Sequence, residues 1–308
     1  MVDQPVCRIL SLDGGGAKGF YTLGVLNQIE ALLGKGPLCE HFDLIFGTST
    51  GAIIAALLGL GKSVAEIHTL YKSHVPHLMA LRGACARTAA LERLAQDVFK
   101  DAKFENMKTG VGIVAARWIE ERPMIFKTDV KQAHGSTSTF RPGFGCTVAD
   151  AIVASCSAYP IFNRKIVTID DGSQVEVIDG GYCANNPTLY AITDAVMALK
   201  TERSQLRIAS IGVGNYPEPP RYWHNWVISK FFLVRLLHKT LSINTHSLET
   251  LASLLFKDLA MVRINDTYST PDMAADLMEH NPKKLDLLYQ RGGESFAHHE
   301  AELKRLFA

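Results

Sequence analysis

The 308-residue chain has no surplus of charge of either sign: 32 lysines and arginines face 31 aspartates and glutamates. That balance sets aside a constitutive DNA- or RNA-binding protein, which needs a clear cationic excess. The six cysteines (Cys7, Cys39, Cys85, Cys146, Cys156 and Cys183) are scattered singly, so neither a zinc knuckle nor a redox C-x-x-C pair is signalled. No apolar run reaches the ~20 residues a membrane-spanning helix needs; the longest extends from Gly51 to Gly61. The start lacks the basic, apolar and small-residue order of a signal peptide, and no internal repeat is visible. Charged residues make up 20% of the chain and hydrophobic ones 47%, an ordinary globular mix that excludes disorder. These absences lead us to expect a soluble, cytoplasmic protein with a substantial core.

What is present is a regular alternation. Strand-like runs at Arg8–Leu12, Asp43–Phe46, Gly110–Ala115, Met124–Lys127, Val175–Ile178 and Arg207–Ile211 alternate with helical patterns. Leu23, Leu26, Ile29 and Leu33 recur at helical spacing, and the run Ala52–Leu58 is apolar all round, as in a helix covered on every side. The pattern predicts an α/β fold: a mostly parallel central sheet covered by helices, with a helical C-terminal region. Lys131–Gly145 reads as a loop framing a substrate entrance. Tyr216-Pro217-Glu218-Pro219-Pro220 reads as a stiff connector, after which helices dominate. We therefore expect a catalytic domain over residues 8–200, followed over 201–308 by a last core strand and a mainly helical region.

Three motifs fall where strands end, the usual place for active sites in such sheets. Asp13-Gly14-Gly15-Gly16-Ala17-Lys18-Gly19 follows the first strand, and its backbone N–H groups, with a helix start behind them, suit a developing negative charge. Gly47-Thr48-Ser49-Thr50-Gly51 has the G-x-S-x-G spacing of a nucleophile elbow, in which small flanking residues let a strained turn present a serine. Asp179-Gly180-Gly181 closes a later strand, placing an aspartate where a general base can reach that serine. Asn185-Asn186-Pro187 then fastens the base loop, with Pro187 opening the next helix. A serine nucleophile beside an oxyanion hole reads as acyl transfer.

In this order the three motifs resemble those of the patatin-like phospholipases, lipid acyl hydrolases with a Ser-Asp dyad and no catalytic histidine. The resemblance covers about two thirds of the chain. It implies that Ser49 is the nucleophile, Asp179 the proton acceptor, and Gly14, Gly15 and Gly16 the oxyanion hole. Lys18, Gly19, Gly47, Gly51, Gly180 and Gly181 complete the motifs, and no metal takes part. Ser155-Cys156-Ser157-Ala158-Tyr159-Pro160 is similar to the small-residue segment lining the family's acyl pocket. The runs around the three motifs further resemble bacterial phospholipases that act as effectors of anti-phage cyclic-oligonucleotide signalling. That likeness implies membrane phospholipids as substrate at the inner face of the membrane, and a cyclic dinucleotide, cyclic GMP-AMP, as allosteric activator. It assigns no activator-binding residue and leaves room for a homo-oligomer.

Other readings stand beside these. Gly14, Gly16 and Gly19 satisfy the dinucleotide fingerprint G-x-G-x-x-G, but the second strand ends in Phe46 and the serine elbow, without the ribose-binding acid. A P-loop is excluded because Lys18 precedes Gly19. An α/β-hydrolase needs a histidine after the serine, for which His280, His298 and His299 are formally available in polar helical surroundings. A non-catalytic nucleotide-binding or scaffolding protein has no use for both Ser49 and Asp179. Lys18 either holds a lipid phosphate, braces its loop, or is a solvated lysine at a helix start. Trp223–Leu241 mixes apolar and basic residues, as in a helix lying on an anionic membrane or one packed on the core with snorkelling cations. Arg221, Tyr222 and Trp223, within the Arg221–Trp226 segment, are candidates to pair and stack with a nucleotide.

Overall fold

A computed structural model describes residues 6–34, 36–135, 137–217 and 228–308. Arg221, Tyr222, Trp223 and Trp226 lie outside the described residues. The first half runs β1 (Cys7–Leu12), α1 (Gly19–Leu33), β2 (Leu44–Thr48), α2 (Thr50–Gly59), α3 (Val64–Ala80), α4 (Ala84–Phe99), β3 (Gly110–Arg117) and β4 (Arg122–Lys127). It continues through α5 (Val148–Ser155), β5 (Lys165–Thr168), β6 (Gln174–Asp179), α6 (Gly181–Ala184), α7 (Thr188–Thr193), β7 (Leu206–Ile211), α8 (Ile228–Leu255), β8 (Ala260–Ile264) and α9 (Pro282–Phe307).

Among the described residues eight strands form one sheet in the order β5-β6-β3-β2-β1-β7-β8, with β4 paired to β3 off that path. Pairings among β3, β2, β1, β7 and β8 are parallel, whereas β4, β5 and β6 enter antiparallel ones. The expected mostly parallel α/β sheet is present. β3 is the hinge of the arrangement. β4 takes one edge of it from Gly112 to Arg117, so β2 and β6 must share the other. They approach from opposite directions and meet end to end, Thr48 opposite Val114 and Asp179 opposite Ala115.

Helix placement follows side-chain pattern. α2 is buried almost throughout, as its all-apolar sequence requires. α9 buries Leu285, Leu288, Phe296, Leu303 and Leu306, a one-faced stripe that packs along α1. α3 starts with a capping box in which Ser63 and Glu66 satisfy each other's backbone N–H groups. Among the described residues no helix is long and apolar enough to cross a membrane.

Three expectations need correction. The chain after the connector contains a strand, β8, in the middle of the region read as helical. Arg263 interrupts its short apolar run, and five residues are too few for a period to declare itself. The helix expected from Thr188 to Leu199 is α7 followed by a π-turn over Asp194–Ala198. Finally, no described residue of the Lys131–Gly145 loop, read as framing the entrance, lines the cleft that holds Ser49. The loop follows the antiparallel β4, so it begins at the amino end of the parallel strands, where Lys131 and Gln132 lie with Arg8 and Asp43, opposite the elbow.

Candidate active site

Ser49 links β2 to α2 with φ 53° and ψ −120°, a backbone conformation that L-residues rarely adopt. The flanking glycines make the turn possible. A Cβ on Gly47 would sit 2.2 Å from the Gly51 carbonyl oxygen, and one on Gly51 would sit 2.3 Å from that of Leu12. Ser49 itself is half-buried. Its N–H donates to Ser155 Oγ at 2.9 Å, and Ser155 in turn donates to the Val114 carbonyl at 2.6 Å. The Ser49 hydroxyl lies near the Asp179 carboxylate and favours its charged form.

The meeting of β2 and β6 on β3 brings these two side chains together across 130 residues of sequence. Asp179 is 1% exposed. Its Oδ1 accepts the Gly181 N–H at 2.7 Å, and its own N–H donates to the Ser157 carbonyl at 3.1 Å. Burial pushes its pKa up to about 6, against the nearby Ser49 hydroxyl and the hydrogen bond from Gly181, which favour the carboxylate. Gly180 presses on the Val114 carbonyl, where a Cβ would come within 2.1 Å. Thr48 Oγ1 donates to the Ala184 carbonyl at 2.7 Å, tying the elbow to the base loop. Cys156 faces both members of the pair, and burial beside Asp179 holds its thiol well above the ordinary range.

The glycine loop differs from expectation in one respect. The Gly14 N–H is already spent on the Asn185 carbonyl at 3.0 Å, so it is not free to meet a substrate. The N–H groups of Gly15 and Gly16 have no partner among the described residues, and both glycines line the same cleft as Ser49. Gly16 has φ +57° and faces the Leu277 carbonyl at 2.4 Å from a notional Cβ, so no other residue fits there. Gly19 packs on Thr50, whose hydroxyl and carbonyl both meet the Tyr71 hydroxyl at 2.9 Å. Lys18 is not a solvated lysine. It is 7% exposed, and burial pushes its pKa down to about 8, against the attraction of Asp276 and Asp13. Among the described residues its ammonium has no hydrogen bond or ion pair.

Ser49 and Asp179 open into an apolar cleft between α2, α3, α4 and α5, walled by residues such as Leu57, Leu70, Leu78, Leu91 and Ile152. Cys156 and Ala158 of the small-residue segment lie on its wall, while Ser155 and Ser157 brace the backbone instead. None of the three candidate histidines lies there. His280 bonds the Met278 carbonyl, His298 contacts Asp266, and His299 contacts Glu302. His74 of α3 lines the cleft without having been singled out by sequence. Among the described residues no group of three His, Cys, Asp or Glu side chains is placed to hold a metal.

The family model described as "Patatin-like phospholipase" matches residues 10–192, which span all three motifs. The chain belongs to the patatin-like phospholipase family. It is 58% identical over 299 residues to a protein of Escherichia coli named "cUMP-AMP-activated phospholipase", covering 97% of this chain and 93% of that one. It is 30% identical over 300 residues to a "cGAMP-activated phospholipase" of Escherichia coli (strain TW11681), covering 87% of this chain and 80% of the other. A "cGAMP-activated phospholipase" of Vibrio cholerae matches at 26% over 232 residues, 68% of this chain and 63% of that one.

Several residues that build this patatin-like site carried no usable sequence signal. Arg263 of β8 binds Asp13 through two hydrogen bonds, 250 positions away. Asn185 does more than fasten its own loop: its Nδ2 donates to the Gly14 carbonyl at 3.1 Å and to Thr245 Oγ1 of α8 at 2.7 Å. Ser155 lay inside the segment read as an acyl-pocket lining, and only its hydrogen bonds reveal that it supports the elbow.

Proposed function

We propose that this enzyme cleaves fatty-acyl esters of membrane phospholipids with Ser49 and Asp179, under the control of a cyclic dinucleotide. The observation that carries the chemistry is a serine on a strained turn beside a buried carboxylate, both lining one apolar cleft. Ser49 Oγ attacks the ester carbonyl carbon while Asp179 takes the hydroxyl proton. The N–H groups of Gly15 and Gly16 stabilise the oxyanion. Collapse of the tetrahedral intermediate expels the lysophospholipid alcohol, which takes the proton back from Asp179. Water then attacks the acyl-enzyme, again giving its proton to Asp179; the bond to Ser49 Oγ breaks, Ser49 takes that proton back from Asp179, and fatty acid leaves. The cleft suits the acyl chain, since its walls are almost wholly apolar.

Control by a cyclic dinucleotide is supported by the names of the relatives. The one at 58% identity is named for cUMP-AMP and those at 30% and 26% for cGAMP. We therefore place cUMP-AMP ahead of cyclic GMP-AMP as activator, in an anti-phage role at the inner face of the membrane. Fatty-acid release from phospholipid vesicles, measured with each cyclic dinucleotide and without any, tests both halves. Release that requires a nucleotide is expected. Release of the same size without one leaves an unregulated patatin-like lipase, and no release under any condition removes the hydrolase reading.

A further inference from the structure

Behind the glycine loop lies a second pocket, narrow and half polar where the acyl cleft is almost wholly apolar. We propose that it receives a phosphodiester of the activating cyclic dinucleotide, with Lys18 as its counter-charge; this rests on the reading that such a nucleotide is the activator.

The pocket has a charge to satisfy. Lys18 lines it, buried and with no hydrogen bond or ion pair among the described residues. Asp13 cannot answer it, because both its carboxylate oxygens are held by Arg263 at 3.0 and 2.6 Å. Asp276 is exposed and acts only through space. Glu249 gives Arg263 a second carboxylate at 3.6 Å, so these charges balance in number. Among the described residues, however, no carboxylate oxygen reaches the Lys18 ammonium itself, and an unpaired ammonium is costly to bury. A phosphodiester brings a single negative charge and two free oxygens. Asn265 lines the same pocket. Its carbonyl accepts the Gly214 N–H at 2.9 Å, and its NH₂ has no partner among the described residues and is available to an acceptor on a base or sugar.

The walls point to regulation and not to the chemistry. Of the fifteen described residues lining this pocket, ten lie beyond residue 192, where the match to the catalytic family stops. Among the described residues lining the acyl cleft only Leu241 and Leu277 do. Four residues line both spaces: Gly15, Asn185, Leu241 and Leu277. Hydrogen bonds join them, since Asn185 donates to Thr245 of α8 and to Gly14, and its N–H donates to Asn244 Oδ1 at 2.9 Å. A ligand entering so narrow a pocket must part α8 from the glycine loop. It thereby displaces Leu241 from the cleft and resets the loop that carries the Gly15 and Gly16 amides. Binding the opened arrangement more tightly than the closed one is what an activator requires.

Calorimetry with cUMP-AMP and with cyclic GMP-AMP tests this on the full chain. Lys18→Met removes the counter-charge, and Ser242→Trp fills the pocket from the partly exposed face of α8. Each should weaken nucleotide binding about tenfold or more. Far-UV circular dichroism reports whether each variant is folded, and Ser242→Trp carries the test where Lys18→Met does not fold. Wild-type affinity in a folded Ser242→Trp variant overturns the pocket while leaving activation intact. A wild-type chain that binds neither nucleotide overturns the activator reading and this proposal with it. If Ser242→Trp instead raises KM for phospholipid and leaves nucleotide affinity unchanged, the phosphodiester is that of the lipid headgroup, and the proposal falls.

Discussion

Arg263, on β8, reaches past β7 to hold the carboxylate of Asp13 at the end of β1, with Nη1 and Nη2 at 3.0 and 2.6 Å from its two oxygens. Both side chains are largely buried, and Asp13 is the first residue of the glycine loop. Removing the cation strands a carboxylate in the interior. Arg263→Met should lower stability by about 3–5 kcal/mol and reduce turnover as the loop loosens. Urea denaturation beside fatty-acid release checks it. An unchanged unfolding midpoint would mean that the pair contributes nothing net.

The second prediction concerns the dyad. Ser49→Ala and Asp179→Asn should each abolish fatty-acid release with far-UV spectra unchanged, and the double variant should be no worse than either single one, because the two side chains act as a unit. His280→Ala, His298→Ala and His299→Ala should retain wild-type chemistry, since none of these side chains lines the cleft. His74→Ala is the informative control, as His74 does line it. Loss in His74→Ala equal to that in Asp179→Asn would make the site a triad.

How much of this was legible in the sequence varied with the range of the forces involved. The elbow was legible because Gly47 answers crowding within its own turn, at the Gly51 carbonyl, and so leaves its mark within five residues, although what crowds Gly51 is the distant Leu12 carbonyl. Asp179 was legible as a strand end, but the end-to-end meeting of β2 and β6 was not, since register between distant strands has no local signature. For the same reason the Gly14 amide was counted as free: its acceptor, the Asn185 carbonyl, arrives from 171 positions away. Arg263 was invisible because a lone cation in a short strand reads as a solvated break, and only the fold supplies Asp13 as its partner.

The third prediction is a pH profile. Burial raises the Asp179 pKa to about 6, and the base must be ionised to take the serine proton. Activity is therefore expected to be full above pH 7 and to fall as pH drops through about 6, approaching a tenfold loss per unit below it. The profile of kcat/KM on a soluble ester reports this for the free enzyme. A limb near pH 4, the ordinary carboxylate range, would show that Asp179 is solvated when it works.

The last prediction separates the two proposed oxyanion donors by what crowds them. A Cβ on Gly15 would come within 2.6 and 2.7 Å of the Val213 methyl groups, whereas one on Gly16 would come within 2.4 Å of the Leu277 backbone oxygen. Gly15 needs no left-handed backbone, but Gly16, at φ +57°, does. Gly15→Ala should therefore displace its amide through a side-chain clash alone. Loss of one such donor typically costs ~3 kcal/mol of transition-state stabilisation, about a hundredfold in kcat, with KM little changed. Adding Val213→Ala removes the two methyl groups and leaves only the Val213 Cβ at 2.9 Å, so it should restore part of the lost turnover. The same second change should not rescue Gly16→Ala, whose obstacle is backbone and whose φ alanine resists. Steady-state kinetics on the four variants decides the matter. A Gly15→Ala effect confined to KM, or one that Val213→Ala leaves untouched, would mean that this loop binds substrate without holding the oxyanion.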